Sequence, residues 1–202
     1  VQWLNNIPSE GIEGALIANE VIDALAFERF KIGDDDILQI GITFDDNQFI
    51  EKTKAAPDIL KHSVTKIEKD IERSLETGFT SEVRPYFYDW FKTINDGLKS
   101  GVALFIDYGY SRKDYYSTQL INGNMICHFQ NLAHSDPYIY LGLQDISSSV
   151  DFSLLADIAH SLDYKIELYC HQSDFLMNAD ILSHIESESN GEERMKIIHQ
   201  IK

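Results

Sequence analysis

Two stretches limit what this chain can fold into. In Gly14-Ala-Leu-Ile-Ala-Asn-Glu-Val-Ile-Asp-Ala24 an unbroken apolar run, Ala15 to Ala18, turns polar at Asn19 and Glu20. In the second, Val102 to Ile106 is followed at once by Asp107, Tyr108 and Gly109. An apolar run without alternation suits a strand covered by helices on both faces, as in parallel α/β sheets. Ligands in such sheets sit beyond the carboxyl ends of the strands, so polar residues just after each run mark a site. The two runs are therefore expected to be neighbouring central strands whose polar tips line one cleft.

The residues between them predict how the strands are joined. After the short apolar piece Trp3 to Ile7 and a turn at Pro8, Ser9 and Gly11, the first run begins. Leu38, Ile40, Ile42 and Phe44 then alternate with polar residues, and aspartate-rich turns flank them, so residues 27–54 read as an antiparallel β insertion. Ile59, Leu60, Val64, Ile67, Ile71 and Leu75 recur at helical spacing, with Gly78 as terminator. Ser81 is expected to cap a second helix, with Phe87, Trp90, Phe91, Ile94 and Leu98 as its buried stripe up to Gly101. A helix between two parallel strands is the crossover expected of a right-handed βαβ unit.

Beyond the second run, residues 109–149 show no sustained period, and so long an irregular stretch usually carries function. Asp151 is placed to cap a helix containing Phe152, Leu155, Ile158 and Leu162. A strand over Tyr164 to Cys170, a helix from about Ser173 to Ile185, a loop over 187–193 and a terminal helical piece with Met195, Ile197, Ile198 and Ile201 complete the reading. A chain of 202 residues supports one domain by default.

Charge narrows the partners. With 33 acidic against 17 basic side chains the formal charge is -16, which repels nucleic acid and anionic membrane surfaces and favours a basic partner or substrate. No apolar stretch is long enough to span a bilayer and no signal-peptide pattern opens the chain, so a soluble, intracellular protein is expected. Cys127-His128 and Cys170-His171 lack zinc spacing, and no metal site is expected. The dinucleotide fingerprint, the P-loop and the Gly-x-Ser-x-Gly elbow are all missing.

The candidate site residues follow from position and chemical type. Asn19, Glu20 and Asp23 form a substrate-binding set, or Asp23 caps a helical turn while Asn19 satisfies backbone groups. Asp107, Tyr108 and Gly109 line the same cleft, or make a turn. His134, Asp136, Gln144 and Asp145 are the polar candidates of the irregular segment, with ordinary turn chemistry, Asp136-Pro137 starting a turn, as the bland alternative.

Several separated motifs in order resemble the MidA-like family of S-adenosylmethionine-dependent methyltransferases. They are Asn19-Glu20-Val21-Ile22-Asp23-Ala24-Leu25, Ser81-Glu82 with Pro85 and Trp90, Leu98 to Gly109, and Gly142 with Gln144-Asp145-Ile146 leading to Val150-Asp151-Phe152. The mitochondrial member of that family is a complex I assembly factor that dimethylates an arginine. The resemblance implies a class I, Rossmann-like methyltransferase sheet with helices on both faces, S-adenosylmethionine as cofactor, and a protein substrate, a respiratory complex I subunit or its bacterial relative. It implies Glu20 as the residue that pairs with and orients an incoming guanidinium, and Asn19 as its hydrogen-bonding neighbour. Asp23, Asp107, Tyr108, Gly109, His134, Gln144 and Asp145 would contact the substrate. The family's main cofactor loop lies upstream of the Asn-Glu motif and is expected before Val1, so the resemblance assigns no cofactor-binding residue within the chain. The chain accordingly looks like a carboxyl-terminal portion and is expected, alone, to form a homodimer or be unstable. The compartment implied is the cytoplasm of a bacterium or the mitochondrion of a eukaryote. Ala26, Asn124, Asn131 and Ser149 depart from the family's usual proline, threonine and histidines. The departures at Asn131 and Ser149, with the long aromatic-rich segment, leave open a catalytically inactive module acting in protein binding or complex assembly.

Overall fold

The computed structural model describes residues 3–181 except 5 and 9, together with 183 and 191. Val1, ahead of which the resemblance places the cofactor loop, lies outside the described residues. The chain divides into a unit of residues 1–164 and another of 165–202. The strands of the first unit are β1 (Ile12–Asn19), β2 (Glu28–Ile32), β3 (Ile37–Asp45), β4 (Gln48–Ala55), β5 (Thr80–Val83), β6 (Leu98–Ile106), β7 (Gly109–Tyr110), β8 (Met125–Phe129), β9 (Leu132–His134), β10 (Asp145–Ser148) and β11 (Val150–Asp151). Its helices are α1 (Asp58–Asp70), α2 (Phe87–Gly97), α3 (Arg112–Tyr115) and α4 (Phe152–Ser161). The second unit contributes α5 (Gln172–Asn178).

The two apolar runs are strands and they are neighbours: β1 and β6 pair in parallel, with Asn19 opposite Ile106. One face of the pair is packed. Phe105 lies against Phe91 of α2 at 5.7 Å between ring centroids and against Trp90 at 6.4 Å, in a core shared with Ile22, Val150, Leu155 and Ile158. The other face is not covered among the described residues, since Ile17 is 68% and Val102 61% exposed. Helices on both faces are therefore not met among the described residues: continuous apolarity marks what a strand can bury, not what is present to bury it. Nor do the strands join into one doubly wound sheet. They form the β1-β6 pair, an antiparallel sheet ordered β4-β3-β2-β5, a three-stranded antiparallel sheet β10-β8-β9, and the short pair β11-β7.

The antiparallel insertion over 27–54 appears as β2, β3 and β4, and it recruits β5, whose Ser81 pairs with Phe30. Ser81 is thus a buried strand residue and caps no helix; α2 begins at Phe87 behind Tyr86, without a side-chain cap. Leu98, expected in the helical stripe, is the first residue of β6. Gly101, expected to end a helix, lies inside that strand at φ +141, where a Cβ would come within 1.7 Å of the Gly14 carbonyl oxygen. That approach, and not a helix terminus, is what the glycine serves.

Helix α1 buries Leu60, Val64 and Ile67 against Phe30, Phe79 and Val83, as its periodicity requires. It ends at Asp70 with Ile71 as its cap, well before Gly78. Glu72 takes the left-handed conformation at φ +57, Arg73 N–H donates to the Glu68 carbonyl at 3.1 Å, and Glu72 N–H donates to that of Lys69 at 3.3 Å. This is a Schellman closure with glutamate in the position glycine usually fills.

Asp151 caps α4 as expected, its Oδ1 accepting from Leu154 N–H at 3.0 Å. Arg112 Nε donates to the other oxygen of Asp151 at 3.0 Å and Nη2 to Asp157 at 2.9 Å. The irregular segment 109–149 holds β7 to β10. In the second unit, residues 165–170 make no strand among the described residues. Helix α5 ends at Asn178, residues 181 and 183 are again helical, and the rest of the helix expected to Ile185 lies outside the described residues. Apart from Gly191, the loop over 187–193 and the terminal helical piece lie outside the described residues. No helix among the described residues is long and apolar enough to cross a membrane.

Candidate functional site

Because β1 and β6 end in register, the residues that follow them leave the sheet at one edge. Glu20 N–H donates to the Ile106 carbonyl at 2.8 Å, tying the two tips together. Glu20 sits at φ +49, in the left-handed region that side chains other than glycine adopt at a cost of about 1 kcal/mol. Its Oε1 accepts from the Tyr108 hydroxyl at 3.0 Å. That bond to a carboxylate, with the charge behind it, raises the Tyr108 pKa, so the phenol keeps its proton and remains the donor. Asn19 is exposed beside it at the end of β1.

Asp107 folds the loop that follows β1. Its Oδ2 accepts from Ile22 N–H at 2.9 Å and Asp23 N–H at 3.1 Å, and its Oδ1 from Tyr108 N–H at 2.8 Å. Burial pushes its carboxyl up, the neighbouring Asp23 charge pushes the same way, and the three N–H bonds oppose them. Asp107 is accordingly a backbone pin at the rim. Asp23 caps no helix, because residues 20–25 form turns. Its carbonyl accepts from Ser148 N–H at 3.1 Å and from Arg84, while its Oδ1 is buried with no partner among the described residues.

The other candidates are placed differently. Gly109 opens β7, and a Cβ there would lie 2.2 Å from the Val150 carbonyl oxygen, so the packing of β11 accounts for it without a ligand. His134 lies in β9 with its ring edge-on to Tyr140, and both ring nitrogens are buried without partners among the described residues. Gln144 braces its own loop, donating to the Pro137 carbonyl at 2.8 Å. Asp145 is exposed at the start of β10, opposite His128. Hydrogen bonds thus join Glu20, Asp23, Asp107 and Tyr108; none links that group to His134, Gln144 or Asp145 among the described residues.

Arg84, which sequence reasoning missed, completes the site's support. It is 8% exposed, donates through Nη1 to the Ser149 carbonyl at 3.0 Å, and through Nη2 to the carbonyls of Asp23 at 3.0 Å and Ser148 at 2.7 Å. Its guanidinium also lies 5.8 Å from the centre of the Phe27 ring. The loop after β1 is thereby fastened to the end of β10.

Next to it, the side chain of Glu82 is fully buried, with Oε2 accepting from Asn124 N–H at 2.7 Å and Oε1, which takes no hydrogen bond among the described residues, 3.8 Å from Arg29 Nε. Burial pushes its carboxyl above the ordinary value of 4.5, against the pull of the Asn124 bond and of Arg29 and Arg84. The ionised form is thus penalised in the fold. Below the unfolded-state pKa both states hold the proton, so the penalty vanishes there and is complete above the raised folded-state value. The stability of the native protein relative to Glu82→Gln is expected to fall as pH rises from about 4.5 upward, measured by denaturant unfolding between about pH 4 and 8. A difference that stays flat over that range would remove the buried charge from the account.

Comparison with known proteins gives a consistent answer. The chain is similar to a crystal structure of a COG1565 superfamily member from Burkholderia thailandensis bound to S-adenosyl-homocysteine, with TM-score 0.84 and 27% identity, covering 96% of this chain and 49% of that one. It is also similar to a native crystal structure of a COG1565 superfamily protein from the same organism, with TM-score 0.88 and 26% identity, covering 99% of this chain and 53% of that one. The chain spans about half the length of these structures. No curated protein matches it. A family model described as "Putative S-adenosyl-L-methionine-dependent methyltransferase" matches residues 1–169, and the chain belongs to that family, Methyltransf_28.

Proposed function

We propose that this chain forms the acceptor side of an S-adenosyl-L-methionine-dependent methyltransferase whose acceptor is an arginine of a protein. The observation that carries the reading is Glu20: an exposed carboxylate held in a left-handed conformation at the tips of two parallel strands, steadied by the Tyr108 hydroxyl and paired with no cation among the described residues. Strain of this kind persists where the surroundings enforce it, and it collects at functional sites. A guanidinium offers the planar pair of donors that a carboxylate accepts best.

The residues present fit one end of the cofactor. The strand tips offer carboxylate, amide and hydroxyl oxygens, suited to a cationic sulfonium and its methyl group. The described residues contain no glycine-rich loop for the adenosine, which the resemblance assigns to sequence before Val1. When bound, the cofactor supplies an electrophilic methyl group. Glu20 holds and turns the guanidinium so that one nitrogen faces that methyl group, and the Tyr108 hydroxyl fixes the Glu20 rotamer. Asn19 bonds to the acceptor beside it. Glu20 would take up the proton that the guanidinium nitrogen sheds on methylation and pass it to water. Positioning and charge placement do most of the work in such transfers. The resemblance to the MidA-like family carries the finer proposal of an arginine on a respiratory complex I subunit or its bacterial relative.

In the full-length protein, Glu20→Gln is expected to lower labelled methyl transfer to arginine peptides about a hundredfold. Calorimetry should find S-adenosyl-homocysteine affinity changed by no more than about twofold, since uniform binding is untouched. Equal losses in both would reject the role of Glu20. A full-length protein that neither binds S-adenosyl-homocysteine nor transfers methyl groups would leave the inactive binding module as the function.

A further inference from the structure

Strand β4 stands at the edge of its sheet, paired with β3 on one side and with no strand on the other among the described residues. All eight of its residues are exposed. An edge of this length presents a row of free N–H and C=O groups, the template used when an extended peptide adds to a sheet. Side-chain parity distinguishes its two faces. Phe44 stands opposite Phe49 and Ile42 opposite Glu51, so these four share one face, while Lys52 and Lys54 alternate to the other.

Tyr138 lies on the face carrying the phenylalanines. Its ring stacks on Phe49 with centroids 6.0 Å apart, and its hydroxyl donates to Glu51 at 3.1 Å. The shelf is apolar and open, with Ile42 62% and Phe44 60% exposed. Its rim is acidic: Asp45 and Asp46 end and turn the hairpin, and Asp136 accepts from Tyr138 N–H at 2.8 Å, all three exposed. The cation nearest to them on that face, Arg29, is paired with Glu51. Lys31 shares the face only at the far end, opposite Leu38.

The shelf is linked to the strand tips. Pro137, beside Tyr138, accepts from Gln144, β10 begins at the next residue, and Ser148 at its end donates to Asp23. Four strand residues span about 13 Å, the reach of four extended residues of a bound chain.

We propose that the free edge of β4, with the Phe44, Phe49 and Tyr138 shelf, docks an extended basic segment of the acceptor protein a few residues from the arginine presented to Glu20. The inference rests on the acceptor reading above. Charge selects this occupant over a second copy of the chain, which would bring its own -16 and its own acidic hairpin turn against this one.

The test uses the full-length protein and a fluorescein-labelled peptide of about twelve residues alternating arginine with leucine, followed by anisotropy. Phe44→Ser with Phe49→Ser should weaken binding about tenfold or more, because two aromatic anchors are lost. The same peptide N-methylated at alternate residues should bind the native protein about tenfold more weakly, since strand addition needs its N–H groups. This arm stands even if the double variant folds poorly. Unchanged affinity in either arm overturns the proposal. So does sedimentation showing a native dimer that the double variant converts to monomer, which would give the shelf to a second copy. If the peptide docks as expected but no arginine peptide is methylated, the docking surface stands and the acceptor reading falls. If Glu20→Gln abolishes transfer while the double variant keeps the native KM, the acceptor reading stands and the docking surface falls.

Discussion

Gly101→Ala is expected to cost about 3 to 5 kcal/mol of stability and to separate the strand tips. A Cβ at this position would lie 1.7 Å from the Gly14 carbonyl oxygen and 2.7 Å from its carbon, and the backbone holds φ at +141. Both obstacles are main chain, so no rotamer change relieves them, and only a parting of β1 from β6 can. That pairing also sets Asn19 opposite Ile106 and brings Glu20 within 3.0 Å of the Tyr108 hydroxyl. The fold and the site therefore fail together. Gly41→Ala is the control: its nearest neighbour would be the Lys52 carbonyl oxygen at 3.8 Å, ordinary contact at an unexceptional φ, and it should change stability by less than about 1 kcal/mol. Urea unfolding of the two variants decides the matter, and equal midpoints would show that the close approach of the strands is not what the glycine is for.

What the sequence disclosed and what it concealed divide along a physical line. The apolar runs at Ala15 and Val102 announced strands because continuous apolarity is a local property, and the polar residues just after them announced the rim because strand direction places them there. Whether anything covers Ile17 and Val102 is not local, and apolar character reads the same whether a face is packed or bare. Ser81 shows local and distant preferences in conflict: a serine ahead of a helix is a good cap, yet Thr80 to Val83 also suit an edge beside β2, and the pairing prevailed. Polar type within a loop-rich stretch is the one signal that His134, Gln144 and Asp145 share, and the structure puts His134 and Asp145 in a small antiparallel sheet while Gln144 braces the loop between β9 and β10. Arg84 left no signal. Its partners are main-chain carbonyls more than sixty positions away, and any residue supplies a carbonyl.

That concealed residue carries the second large effect. Arg84→Met is expected to destabilise the protein by about 3 to 5 kcal/mol, because methionine fills similar space but leaves the Ser148 and Ser149 carbonyls without the cation that they share. The loss has an electrostatic second part: Arg84 is one of the charges that hold down the Glu82 pKa, and without it the buried carboxylate is penalised further. Arg84→Lys should fall between the two, since one ammonium on a flexible stem keeps the charge but cannot reproduce a planar fork aimed at three carbonyls. Function should follow the loop and not the charge. The Asp23 carbonyl keeps its bond from Ser148 N–H, so the loop after β1 loosens without detaching, and Glu20 loses its fixed direction. In the full-length protein that predicts a lower rate of methyl transfer for Arg84→Lys at temperatures where it is fully folded, with S-adenosyl-homocysteine affinity preserved. A lysine variant that is destabilised yet transfers methyl groups at the native rate would make Arg84 a strut of the fold alone, with no part in aiming Glu20.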